Sequence, residues 1–269
     1  MTNSIAQKFN VFTLLKFAFP TMVMMVFMSL YTIVDGIFVS RLVGSNALSA
    51  VNIVYPVISL LIACGIMLST AVVTFLFNIT MMKLGGEDGV AAITIVLYGQ
   101  FLFTALYLGF SMGVAPVFSF NHGNQDHAQL KKIYKICKWF ILLSSIVILG
   151  IALVFSEPIV GIFTGEENHT YELAVEGFFL FSFNYLFAGI NIFASALFTA
   201  LSNGKISAII SFCRTFVFIV ASIVLLPMIM GITGVWLAVP LAELITLFIS
   251  AWYLKGQKRF IIMDDKRIY

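Results

Sequence analysis

Asp35 is the residue with the most chemistry to offer. It stands in SLYTIVDGIF, Ser29 to Phe38, deep in an apolar run and far from either basic flank. Taking a carboxyl to membrane depth costs roughly 2.5–3.5 kcal/mol on insertion scales, so such a group must face a cavity or a partner. A carboxyl withdrawn from water is harder to ionise, which suits reversible protonation, and as a carboxylate it can coordinate a sodium ion. Asp35 is therefore the candidate cation-coupling residue, against the plainer alternative of an acid at the outer rim of the membrane. Glu243, in PLAELITL, is the other acid inside an apolar run. It can serve as a second coupling acid, but a structural group paired inside a bundle is the simpler reading.

Five amides also lie in apolar runs: Asn52, Asn78, Gln100, Asn184 and Asn191. Buried polar groups need partners. Their plain role is hydrogen bonding between helices, worth about 0.6 kcal/mol each within a membrane. The sharper role is lining a polar cavity, for which Tyr31, Asn52, Gln100, Asn184 and Asn191 are the candidates, Asn191 first among them. The chain has 28 Phe and 12 Met. Most of these face lipid or fill gaps, but a subset around a cavity would suit flat lipophilic cations through dispersion and cation–π contact.

Enzyme motifs are lacking. The sequence has no GxxxxGK[ST], GxSxG, HExxH or CxxC. His122, Asp126 and His127 share one loop, where three flexible groups do not make a metal site. No enzyme activity, metal or organic cofactor is expected, only a proton or sodium as coupling ion. Cys64, Cys137 and Cys213 read as small buried hydrophobes.

The elements that position these residues follow from composition. Hydrophobic residues make up 61% of the 269, charged residues 10%, and the mean hydropathy is +1.06. Soluble domains are nearer 45–50% apolar and about 25% charged. Hydrocarbon must be the solvent for most of this chain, and lipid is its first partner. A net charge of +3 suggests no nucleic-acid partner. Seven apolar runs, roughly 11–40, 50–82, 89–120, 137–156, 173–201, 206–229 and 232–254, are each long enough to span as a helix. The period-2 pattern of a barrel is absent.

Lys and Arg mark cytoplasmic loops. Lys131, Lys132, Lys135 and Lys138 cluster between runs three and four, Lys205 and Arg214 lie around the start of run six, and five basic residues follow run seven. Between Trp139 and Gly204 there is no Lys or Arg, while Glu157, Glu166, Glu167 and Glu172 fall there. The reading is a multi-pass protein of the cell membrane, with residues 157–172 external and the C-terminus cytoplasmic. The N-terminus also looks cytoplasmic, which seven crossings cannot satisfy. Ile37 to Val54 and Ile79 to Val96 align as a repeat: Arg41 with Lys83, Leu42 with Leu84, Gly44 with Gly86, Ala50 with Ala92. Each copy reads as a helix end, a Gly-containing turn and a helix start. Run two is too long for one span and reads as a re-entrant piece, or as two half-spans joined near Gly65 to Thr70.

Several stretches resemble the multidrug and toxin extrusion (MATE) transporters, in particular a MepA-like branch. Phe17 to Leu61 resembles the family's first helix and the start of its second. FNITMMKLGGEDGVAAITIVLYGQ, Phe77 to Gln100, is similar to the end of the seventh helix and the start of the eighth. GVAPVFSFNHGNQDHAQLKKIYK resembles the loop after the eighth, GINIFASALFTALSNGK the tenth, and GVWLAVPLAE the start of the twelfth. The resemblance implies an all-α integral membrane protein of about six to seven transmembrane helices. It would consist of a remnant of the N-terminal lobe over 1–70, a bundle like the C-terminal lobe over 71–256, and a cytoplasmic tail over 257–269. It further implies that the chain passes from the second helix to the seventh near Leu68 to Val73, so that most of one lobe is missing.

By the same resemblance, Asp35 matches the family's first-helix coupling acid, and Asn191 falls in a helix that contributes polar cavity residues. The implied function is secondary active efflux of lipophilic cationic small molecules, impaired or lost in the shortened chain. The alternatives are an inactive or accessory subunit pairing with another transporter chain, and a lipid-linked sugar flippase of a related branch.

Overall fold

The computed structural model describes residues 9–42, 68–165 and 168–263. Side chains 28–29, 31–32, 35–42, 68–70 and 257–263 are not among those described. All described elements are helical. They are α1 (Val11–Leu42), α2 (Leu68–Gly123), α3 (His127–Val154), α4 (Ser156–Phe163), α5 (His169–Ser182), α6 (Tyr185–Ala200), α7 (Gly204–Phe212), a π turn (Cys213–Val217), α8 (Phe218–Met230) and α9 (Ile232–Met263).

Local chemistry places the ends. Asn10 and Thr13 exchange side-chain-to-backbone hydrogen bonds of 2.8 and 2.9 Å at the start of α1, satisfying amides that the first turn would leave open. Asp126 caps α3 by accepting from Gln129 N at 2.9 Å. Asn168 and Asn203 do the same for α5 and α7. Two reversals sit on glycine: Gly86 (φ 61°, ψ −149°) bends α2, and Gly231 (φ 58°, ψ −135°) separates α8 from α9. A Cβ makes both conformations costly.

The helices alternate in direction. Gly85 lies beside Ile232 and Leu173, and Thr170 Oγ1 donates to Asp88 Oδ1 at 2.6 Å. The Gly86, 164–170 and Gly231 turns thus share one end. Ser119 Oγ donates to the Ala200 carbonyl at 3.0 Å, and Gln129 Nε2 reaches the Phe9 carbonyl at 3.5 Å. Phe9 and the 124–126 and 201–203 turns share the other. Toward this second end lie Lys131, Lys132, Lys135, Lys138, Lys205 and Lys255, whereas the first carries Lys83 with Glu87, Asp88, Glu157 and Glu172.

The core is aromatic. Trp236, Tyr107, Tyr185, Phe110, Phe118, Phe178 and Phe198 are fully buried. Bulk on that scale needs small partners. A Cβ on Gly177 would lie 2.7 Å from the Trp236 indole. Gly109 and Gly113, one GxxxG spacing on α2, let α1 approach so closely that a Cβ on Gly113 would lie 2.8 Å from Ala18 Cα. Small residues at this spacing bring helix backbones together where lipid removes any hydrophobic drive.

Among the described residues, four helices are long and apolar enough to cross a membrane: Ala71–Gly123, His127–Val154, Gly204–Met230 and Ile232–Gly256. A fifth is added if α5 and α6, bent by 53°, form one span. Six to seven were expected; four to five is the count by length and composition among the described residues. Ala71–Gly123 contains the Gly86 reversal and so two parts of opposite direction, run five is broken before Tyr185, and α1 runs from Val11 to Leu42 with only part of its side chains described. Where sequence suggested a joint near Gly65 to Thr70, α2 begins at Leu68; residues 43–67 lie outside the described part.

Candidate functional site

Glu243 lies on α9 three residues after Pro240, its side chain 2% exposed. A carboxylate at such a place needs every lone pair engaged. Oε1 accepts from Arg214 Nε at 2.7 Å. Oε2 accepts from Asn191 Nδ2 at 2.8 Å, and the same amide nitrogen donates to the Glu243 backbone carbonyl at 2.9 Å. Because both partners are acceptors, the Asn191 amide orientation is fixed. Its Oδ1 is then left buried with no hydrogen-bond partner.

Arg214 stands in the π turn that interrupts the helix from Gly204 to Met230. The extra residue of a π turn re-aims the side chains that follow, and such turns gather at functional sites. Arg214 is 18% exposed, so its guanidinium keeps an edge open while Nε is spent on the carboxylate.

A ladder of hydroxyls continues from this triad toward the 201–203 end. Ser195 is one turn beyond Asn191 on α6, and Ser211 one turn before Arg214 on α7; their Oγ atoms are 2.7 Å apart. Ser195 also meets Ser207 at 2.9 Å, and Ser207 meets Thr199 at 2.7 Å. On α9, Thr246 and Ser250 follow Glu243 at i+3 and i+7, both fully buried. Thr246 bonds back to the Ala242 carbonyl, and Ser250 Oγ has no partner. Polar positions on three helices thus line one seam through the bundle.

Of the residues singled out from sequence, the structure brings Glu243 and Asn191 together at this centre. Asn184 is fully buried at the α5–α6 break, donating to the Phe181 carbonyl at 2.6 Å. Gln100 is half-buried on α2, its backbone carbonyl bonded to Thr104. Asp35 and Tyr31 lie on α1, their side chains outside the described set, and Asn52 lies outside the described residues. Arg214 was the residue missed. Beside Lys205 it reads as a flank charge, but it stands ten residues into the helix, about 15 Å at 1.5 Å per residue. That depth was the available signal. Among the described residues no three of His, Cys, Asp and Glu gather as metal ligands.

The MatE family model matches residues 20–76 and 67–225. The chain belongs to the MatE family. No curated protein matches it. Among solved structures, the fold is similar to a multidrug resistance MATE family transporter of the MOP superfamily in its outward-facing conformation. The TM-score is 0.66 and the identity 18%, over 72% of this chain and 44% of that one. The inward-facing conformation of such a transporter gives 0.66 and 20%, over 74% and 46%. The Vibrio cholerae MATE transporter VcmN in its bent form gives 0.65 and 20%, over 81% and 47%. The MatE chain thus spans less than half the length of each.

Proposed function

We propose that this MatE chain is part of a cation-driven exporter of lipophilic cations, working only when a second lobe completes it. The observation that carries the reading is the Arg214–Glu243–Asn191 triad, an ion pair held across three elements inside a membrane-type bundle of the MATE fold. An intramembrane charge is costly and is characteristically kept for ion or substrate pathways. Asp35 is the proposed coupling acid on α1, and protons or sodium the proposed driving ion. Tyr31, Asn52, Gln100 and Asn184 remain proposed cavity residues beside Asn191. The lysine-rich end is proposed to face the cytoplasm, which puts the C-terminus there.

Alternating access requires two bodies moving around a midplane site. Residues 1–70 are proposed as the remnant of one lobe, in a MepA-like chain shortened internally. Alone, the chain is expected not to transport. The test is reconstitution into liposomes with an imposed proton or sodium gradient. Gradient-dependent ethidium accumulation, absent from empty liposomes, would overturn the requirement for a second lobe. The second reading is an accessory subunit paired with another transporter chain, favoured by coverage of less than half of each solved relative.

A further inference from the structure

A cleft between α3, α6 and α9 has a polar mouth and an apolar floor. It encloses about 60 Å³ of water-accessible space. Along α3 the lining residues run inward from Tyr134 and Lys138 to Ile141 and Leu142; Ile190 and Phe193 supply the α6 wall, and Leu254 the α9 edge. Lys131, Lys135, Lys138 and Leu142 fall at i, i+4, i+7 and i+11, one stripe of α3. The stripe therefore carries basic charge from the helix start down to the cleft. Lys255 follows the α9 edge. Neither α3 nor α6 contains an acid, and among the described residues no ion pair engages these lysines. Trp139, next in sequence to Lys138, and Trp252, two residues before Leu254, are 64% and 69% exposed, as aromatic side chains are at the headgroup level of a bilayer.

We propose that this cleft binds one anionic phospholipid. Its phosphate lies against Lys138 and Lys135, and an acyl chain runs down along Leu142 and Ile190. Lysine stems bury along apolar surface while the ammonium reaches the interface, so Lys138 can serve the headgroup from inside the cleft mouth. Basic pockets between spanning helices take anionic headgroups by this combination of charge and depth. The proposal is independent of whether the chain transports.

The test is tryptophan quenching in bilayers of phosphatidylcholine doped with brominated phosphatidylglycerol or, separately, brominated phosphatidylcholine. In a Trp252→Phe background, Trp139, next to Lys138, is the reporter, and Trp236 is a buried constant background. The anionic lipid is expected to quench at lower mole fraction. Lys138→Gln and Lys135→Gln should each lower the preference about fivefold, the equivalent of about 1 kcal/mol per basic residue near a charged surface. Lys132→Gln, off the stripe, should leave it unchanged. Millimolar inorganic phosphate should not relieve the quenching, which distinguishes a lipid from a free anion. Equal quenching by both lipids, an equal loss in Lys132→Gln, or displacement by phosphate would each overturn the proposal. Lys138→Arg, which keeps the charge, should retain the preference; its loss in Lys138→Arg would also overturn it.

Discussion

Asn191 grips Glu243 at two points, the carboxylate at 2.8 Å and the backbone carbonyl at 2.9 Å, through a single amide nitrogen. One side chain of α6 thereby fixes both the rotamer of the acid and the height of α9. Asn191→Leu removes the donor and leaves Oε2 unsatisfied, at a cost of about 1–3 kcal/mol. A lower melting temperature in detergent, measured by tryptophan fluorescence, is expected. An unchanged Tm would show that the amide is dispensable.

Arg214→Leu strands a buried carboxylate. Breaking a buried pair from one side costs about 3–5 kcal/mol, whereas replacing both members with apolar residues is often neutral. The double variant Arg214→Leu with Glu243→Leu should therefore recover most of the loss. If the double variant is as unstable as the single one, the pair does more than neutralise itself.

Gly177→Ala drives a methyl into the Trp236 indole, three of whose atoms lie within 2.8 Å of the Cβ position. Overpacking of this kind costs about 1–3 kcal/mol. Gly150→Ala, where a Cβ meets nothing within 4 Å, is the matched control and should be neutral or mildly stabilising. Comparable losses in both would place the cost in the backbone instead of the packing.

In a complete assembly that exports, Asp35→Asn is expected to abolish gradient-driven efflux of a fluorescent cation without lowering membrane abundance. Removing an acid from an apolar run leaves insertion no harder, so abundance separates a coupling defect from a folding one. Undiminished efflux would show that coupling does not pass through Asp35.

Class and family were legible in the sequence because hydropathy and local motifs are local properties. The helical fold follows from runs of Leu, Ile, Val and Phe, and the turn at Gly86 from the pattern KLGGEDG. The bend within run five was not legible. A run of apolar residues does not say whether it bends, and the α5–α6 break at Asn184 does not interrupt hydropathy. Glu243 was expected to be paired, but its partner was hidden in plain view. Arg214 reads as a loop charge until the helix from Gly204 is seen to carry it inward. Asn191 was singled out by type and depth, whereas the serine ladder was not, since hydroxyls are common in membrane helices and only three-dimensional register aligns Ser195 with Ser207 and Ser211.

The π turn at Cys213–Val217 introduces a phase slip of roughly one residue, about 100° of rotation, between the two halves of the helix from Gly204 to Met230. Ser207 and Ile210 are buried before it, Ser222 and Ile223 after it. On an unbroken 3.6-residue screw these two pairs would point in well-separated directions, and one of them would meet lipid. The slip brings both onto a common azimuth and leaves Arg214 at the splice. The charge that answers Glu243 therefore sits where the winding of this helix changes.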